Sequence, residues 1–485
     1  MKKSLFLRVL SGLVLIALMV SACAPVTPQV IEKEVTPAPQ KEVTKPTLYI
    51  STWAWPSMRT VQHRLFQEYT NAKGTQVFYI EFAGGGFDYN RWIEAQAAVN
   101  ELPDLVMGRV GAIDEDVRNG RGHFLDLSPY LDKPNPYAPE FPTWRDVFVN
   151  GVLDEAAVAG PDGKKQYVYI PLDRATDVLY IWDEPFKKAG FTLPIEDYPT
   201  FVKALDAVKA QGIIPYSQVN IAGRAFGAGA VWVDQVLGEL DPKIDLDKDG
   251  VPNEKEWYLA VKKGVFSFDD PQWQCAIQVL RDFSQKYYTP GWEASSWPRS
   301  KEDFITHKAA VFDDSSWFAT DTASPEQRGF DWEPFVQHRV SLTKDGPCGQ
   351  YVDRPARSTI RIGFAFAVPA GKPNEKQIID FLQYITAPKT ASAIADQTLL
   401  LMPLKTITMK HPLSRFLEEP RNPPLWWSPF PGLTPEFWTD ASNLLYDYML
   451  GRIEMDKMVS GLKKAAETAI KDIEEKHPDW AKEAQ

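Results

Sequence analysis

LYISTWAWP (48–56), QVFYIEFAGGG (76–86) and PDLVMG (103–108) set the reading of this chain. Each begins as a short run rich in aromatic or branched aliphatic residues and ends in Gly, Pro or small polar positions, the pattern of a strand running into a turn. Between the first two, Val61, Leu65, Phe66 and Tyr69 fall on one face of a helix; between the second and third, Tyr89–Asn100 reads as another helix. Strand alternating with helix at this spacing predicts βαβ units and a largely parallel sheet. Ligands of such sheets bind beyond the carboxyl ends of the strands. That points to Trp53, Trp55, the loop from Gly84 to Asp88, and Gly108-Arg109.

A second α/β unit begins near residue 170. YVYIPLD (167–173) and VLYIW (178–182) read as strands, EPFKKAGF (184–191) and YPTFVKALDAVKAQG (198–212) as helices that stop at glycine. Further helices are expected over 268–288, 374–388 and 455–477; the last has Met458, Leu462, Ala466, Ile470 and Ile473 on one face. No internal repeat is visible.

The 485 residues are 44% hydrophobic and 24% charged, enough for roughly two to four domain-sized cores and too apolar for a disordered chain. A net charge of −11 argues against non-specific nucleic-acid binding, which needs basic surface. The 16 Trp outnumber both the 9 Met and the 6 His, so aromatic surface is where binding is sought.

Lys2, Lys3 and Arg8, then an apolar run from Val9 to Val20, then Ser21-Ala22-Cys23, form a targeting segment rather than fold. The run is shorter than the ~20 apolar residues of a membrane-spanning helix. The pattern resembles the lipobox of bacterial lipoproteins, in which Cys23 would be lipidated. Residues 24–47 hold five Pro and no aromatic residue or Gly, and read as a disordered tether. The rest of the chain would then lie outside the cell membrane or in the periplasm, held by the lipid alone.

The order of local patterns resembles the family 1 extracellular solute-binding proteins of ABC importers, over nearly the whole chain after the tether. The likeness is carried by ELPDLVMG (101–108), GHFLDLSPYL (122–131), GKKQYVYIPLD (163–173) leading into LYIWDEPFKKAGFTLPIEDYPTFVKAL (179–205), FITHKAAVFDDSSW (304–317), and FAFAVPAGKPNEKQIIDFLQYITAPKTASAIADQTLLLMPL (364–404). The chain departs from the family at Trp182-Asp183, where Tyr-Asn is common, and at Ser315, where Gly usually precedes Ser-Trp. The resemblance implies an α/β, two-lobed periplasmic-binding-protein-like fold of type II, similar to maltose-binding protein, with a hinge and an inter-lobe cleft. It places crossovers near 166–171, 315–318 and 372–377. Lobe one would be 48–167 plus 317–374 and lobe two 170–315 plus 376–485. It further implies a monomeric receptor that hands its ligand to a permease with a cytoplasmic ATPase.

Sugars present apolar C–H faces and rings of hydroxyls, which call for flat aromatic rings and for charged or amide groups. Candidate contacts are Trp53 and Trp55 after the first strand, Trp232 in AGRAFGAGAVW (222–232), and Trp317 at the family's Ser-Trp position. Asp88, Arg109, Asp173, Arg174 and Asp314 stand at strand or loop ends, and Trp426-Trp427 lie in a Pro-rich loop. An oligosaccharide is the expected ligand; a glycerophosphodiester or a polyamine is the alternative. A secreted glycoside hydrolase would also use Trp and paired carboxylates. No H-E-x-x-H, G-x-S-x-G or Walker loop is present, and no enzyme activity is expected.

DLDKDGVPNEKE (245–256) matches the twelve-residue calcium loop. Asp245, Asp247 and Asp249 take positions 1, 3 and 5; the carbonyl of Val251 takes position 7, Asn253 position 9 and Glu256 position 12. A single structural Ca2+ is expected there, since without it the clustered carboxylates repel. Cys275 and Cys348 could pair outside the cell or remain buried thiols, and the sequence leaves both open.

Overall fold

Alternating burial turns the first strand pattern into one half of a sheet. The computed structural model describes residues 47–484 apart from 54–55, 83–85, 109–110, 219–225, 247, 249–251, 323–328, 357–360, 408–411 and 418–428, and only the backbone of 53, 56–62, 65, 86–87, 412 and 417. In chain order, β1 (Thr47–Trp53), α1 (Pro56–Lys73), β2 (Gln76–Phe82), α2 (Gly86–Ala98) and β3 (Leu105–Met107) build the first unit. β1 runs parallel to β2 from Thr47↔Gln76 to Trp53↔Phe82, and parallel to β3 at Ile50↔Leu105. Leu48, Ile50, Leu105 and Met107 face one core with Ile170 and Phe366, while Val106 and Tyr169 turn to the opposite face with Tyr89 and Ile93.

The chain then leaves through β4 (Tyr169–Pro171) and β5 (Arg174–Ala175) into a second sheet. That part comprises β6 (Asp177–Ile181), α3 (Tyr198–Ala210), β7 (Ile214–Ser217), α4 (Gly227–Val236), α5 (Glu254–Lys262), α6 (Pro271–Tyr287), α7 (Trp297–Ile305), β8 (Ala309–Ser315) and β9 (Phe335–Gln337). Three of these helices, α3, α5 and α7, start at side-chain caps. The Asp197 side chain accepts from Thr200 N ahead of α3, and that of Ser296 from Arg299 N ahead of α7. On β6, Leu179 and Ile181 face a core with α3, α4 and α6, while Val178 and Tyr180 face a second cluster with Phe304 and Phe312. The period-2 strand thus buries both faces.

β10 (Arg361–Ile362), β11 (Ala365–Ala367), α8 (Glu375–Ile385) and α9 (Pro388–Thr398) return to the first unit. α10 (Pro435–Met449) and α11 (Met455–Lys476) close on the second. The strand orders are β2-β1-β3-β11-β4 and β9-β6-β8-β7, with β10 paired to β5 between them. This is the expected two-lobed α/β arrangement, with three differences of detail.

First, the sheets are mixed rather than largely parallel. β11 is antiparallel to both β3 and β4, and β6 is antiparallel to β8 and β9. These strands enter from the other lobe instead of through a βαβ crossover, so their direction is not fixed by one. Second, the expected division of 317–374 and 376–485 between lobes does not match the packing. β9 belongs to the lobe-two sheet, and Ile378, Phe381, Leu382 and Ile394 of α8 and α9 fill the lobe-one core. Third, Ser315–Phe318 is not a crossover: Phe318 and Ala319 stay in lobe two while the Trp317 side chain packs against the lobe-one core. The chain passes between lobes at 172–176, in the stretch leading through Arg361–Phe364, and again between Leu400 and Leu413.

Cys275 on α6 is bonded to Cys348, with Cα atoms 5.8 Å apart. Among the described residues no helix is long and apolar enough to cross a membrane.

Candidate functional site

The parallel strands β1, β2 and β3 end at Trp53, Phe82 and Met107, and β7 and β8 of lobe two end at Ser217 and Ser315. The segments that pass between the lobes lie beside the last two residues of β8. Asp173, on the first passage, is 1% exposed. Its Oδ2 accepts the Trp317 indole Nε1–H at 2.7 Å and its Oδ1 accepts Phe364 N–H from the second passage. Its backbone also pairs with that passage, through Gly363 N to Asp173 O and Asp173 N to Phe364 O, each at 3.3 Å. Arg174 N donates to Leu401 O on the third passage. One dipeptide therefore meets the other two passages and the Trp that projects from lobe two.

The packing is close. A Cβ on Gly363 would lie 2.7 Å from Asp173 Oδ1 and 2.8 Å from Trp317 Cζ2, so only glycine fits without a shift. The Trp317 ring is half-buried, with the Phe364 ring centroid 5.4 Å away. Burial pushes the Asp173 carboxyl up to about 6, opposed by its hydrogen bonds from Phe364 and Trp317 and by the charge of Arg361.

Lobe two adds a charged network at the same end of β8. Arg339 forks onto Asp313 (Nη2–Oδ1 2.8 Å, Nε–Oδ1 3.0 Å) and reaches Asp177 Oδ2 at 3.3 Å. Arg361, on the passage strand β10, meets the same Asp177 oxygen at 3.2 Å, and Tyr216 Oη donates to Asp313 at 2.7 Å. Asp314 is 3% exposed and accepts from Trp297 Nε1 at 2.6 Å and from Ser315 N at 2.7 Å. Lys301 lies over the Trp297 ring at 5.2 Å; burial lowers its ammonium, against the charges of Asp321 and Asp314.

The sequence-derived candidates separate on this geometry. Trp317, Asp173 and Asp314 come to the junction, but both carboxylates are occupied by indole and backbone N–H groups. Arg174 is buried beside Glu155 at 3.7 Å. Trp232 is 1% exposed, packed edge-on to Tyr198 and Phe283, and donates to Val340 O at 3.2 Å. It is a core residue of lobe two and presents no face to a cleft, because α4 is buried on every side from Ala228 to Val236. Asp88 is exposed in the first turn of α2 and pairs with Arg91 at 2.5 Å. The Trp53 side chain, Trp55, Arg109 and Trp426-Trp427 lie outside the described residues. Trp297, Lys301, Arg339 and Arg361 were not singled out by sequence. Only the Ser-Trp-Pro start of α7 could have marked Trp297, and it reads equally as an ordinary cap.

In the acidic loop, Glu256 folds back from α5 onto the loop's beginning: its Oε1 accepts Leu246 N at 2.7 Å and its Oε2 accepts Asn253 N at 2.9 Å. Asn253 Oδ1 in turn accepts Glu256 N at 3.2 Å, a reciprocal capping box. The position-12 carboxylate is thereby tied to the backbone at position 2, across the ends of the loop. Asp247, Asp249 and Val251 lie outside the described residues, and among the described residues no three His, Cys, Asp or Glu side chains converge.

The sequence profile of bacterial extracellular solute-binding protein matches residues 63–392. The chain belongs to that family. No curated protein sequence matches it. A solved structure titled chitin oligosaccharide binding protein is similar over 87% of this chain and 98% of its own, at 16% identity and a TM-score of 0.62. The solute-binding protein RafE in complex with raffinose is similar over 87% and 99%, at 17% identity and a TM-score of 0.62. Maltose-bound MalE3 of T. maritima is similar over 87% and 99%, at 14% identity and a TM-score of 0.58. At these identities the likeness is one of fold. As a family member the protein is a binding protein of extracellular or periplasmic location.

Proposed function

We propose that this solute-binding protein captures a carbohydrate, most directly an oligosaccharide, closes its two lobes around it, and delivers it to a permease with a cytoplasmic ATPase. The observation that carries this reading is Trp317, a half-buried indole projecting from lobe two onto the lobe-one core at the inter-lobe passages. A flat ring there suits the C–H face of a sugar and touches both lobes, so a ligand stacked on it favours the closed form. The similar structures that bind chitin oligosaccharide, raffinose and maltose agree with it. No chemistry on the ligand is invoked, and incubation with oligosaccharides should give saturable binding without product.

The test is a thermal-shift screen against mono- to hexasaccharides, polyamines and phosphate esters. Stabilisation by sugars is expected; stabilisation by a polyamine or a phosphodiester alone sinks the carbohydrate reading. The same reading includes lipidation at Cys23 and a single Ca2+ clip at 245–256. Metabolic lipid labelling lost in Cys23→Ser tests the first. Calcium titration after EDTA treatment tests the second: melting that is indifferent to both overturns it.

A further inference from the structure

Asp173 has the position expected of a ligand contact and the surroundings of something else. Both its oxygens are taken by donors from distant parts of the chain, Trp317 and Phe364, and at 1% exposure no ligand hydroxyl reaches it. An indole ring held through its N–H cannot swing about its Cβ–Cγ bond without breaking that bond. On one side the ring meets Phe364, and the absent Cβ of Gly363 lets the carboxylate and the ring edge approach the passage backbone together.

Resting on the carbohydrate reading, we infer that Asp173 is a positioning residue: its carboxylate fixes the plane of the Trp317 indole at the junction of the lobes, so that the stacking face is set before a sugar arrives. Presetting the ring removes the ordering cost that a free side chain would add to binding. It also ties ring orientation to the hinge, because the same carboxylate holds the backbone of the second passage.

This arrangement requires an acceptor at both oxygens. Protonation converts one of them to O–H, which then faces an N–H donor, and one of the two bonds fails. The charged groups around Asp173 are Arg361, which is paired with Asp177, and Arg174, which faces Glu155. Burial places the protonation near pH 6. Because the folded state holds this proton more tightly than the unfolded chain, the Asp173 contribution to stability falls as pH rises from about 4 to about 6. Acid therefore loosens the ring through Asp173 without unfolding the protein through it.

The experiment uses the full chain. Indole emission of the wild type minus that of Trp317→Phe is followed from pH 8 to pH 4.5, without ligand. A Trp317 signal that titrates with a midpoint near 6 in the wild type and is flat in Asp173→Asn is expected. Affinities for chitotriose, raffinose and maltotriose are measured alongside. For any probe that binds the wild type, Asp173→Asn should weaken binding about tenfold to a hundredfold, and Asp173→Asn/Trp317→Phe should be no worse than Trp317→Phe alone. A Trp317 signal that does not titrate, or additive losses in the double variant, overturns the inference. Should Asp173→Asn fail to fold, the wild-type titration against Trp317→Phe decides by itself. If none of the probes binds the wild type, the carbohydrate reading fails while the emission titration still reports on Asp173.

Discussion

At the scale of single residues, the junction depends on contacts with little slack. Gly363→Ala inserts a methyl at 2.7–2.8 Å from the Asp173 carboxylate and the Trp317 ring. A loss of about 1–3 kcal/mol in denaturant unfolding is expected, as for other overpacked sites, with weaker ligand binding. Arg339→Met leaves Asp313 buried without its bidentate partner, and a broken buried pair typically costs about 3–5 kcal/mol. Unfolding midpoints measured across pH discriminate the cause: the deficit should shrink in acid, where an unpaired Asp313 is neutralised. Neither effect could be foreseen from sequence. Asp173 and Trp317 are 144 positions apart, and Arg339 and Asp313 are 26 apart on different strand ends.

At the scale of elements, local pattern was a good guide to where strands and helices lie and a poor one to what they face. The expected helices over 198–212, 268–288, 374–388 and 455–477 are present as 198–210, 271–287, 375–385 and 455–476. Amphipathicity says that α8 and α9 must bury a stripe, but not in which lobe, and both cores would satisfy it. α11 illustrates a correct face: Met458, Leu462, Ala466 and Ile473 are all buried, whereas Ile470 packs partly against the same core. Leu462→Ala should cost about 2–5 kcal/mol by differential scanning or denaturant titration, because Leu462 is 1% exposed in the lobe-two core. The Cys275–Cys348 bridge closes 73 positions of chain within that lobe. Cys275→Ser/Cys348→Ser should lower stability by about 2–4 kcal/mol, and reductant should lower the wild type by a similar amount while leaving the double variant unmoved.

For the whole molecule, a lobe junction crossed several times and clamped by Asp177 between Arg339 and Arg361 gives a hinge whose ends are fixed and whose lobes are separately packed. Closure on a ligand that touches both lobes should reduce the radius of gyration in solution scattering. Trp317→Ala should abolish that change before it abolishes folding, since the ring is half-buried. The proposed Ca2+ clip beside α5 of lobe two belongs to the same scale: with the ion at 100 times its Kd, a gain of about 2.7 kcal/mol is expected in calcium-titrated unfolding.

The sequence by itself determined the succession of strands and helices, the α/β class and the family, because those depend on periodicity and on motifs in a fixed order. It also named Trp317 as a candidate contact, together with Trp53, Trp55 and Trp232, without ranking it above them. Tertiary structure alone decided that Trp232 is core, that α8 and α9 belong to lobe one, that Cys275 meets Cys348, and that Asp173 spends both oxygens on an indole and a backbone amide. Each of these is a long-range pairing or a choice between two equally apolar surroundings. Burial and hydrogen-bond satisfaction settle such choices only once the whole chain is in place.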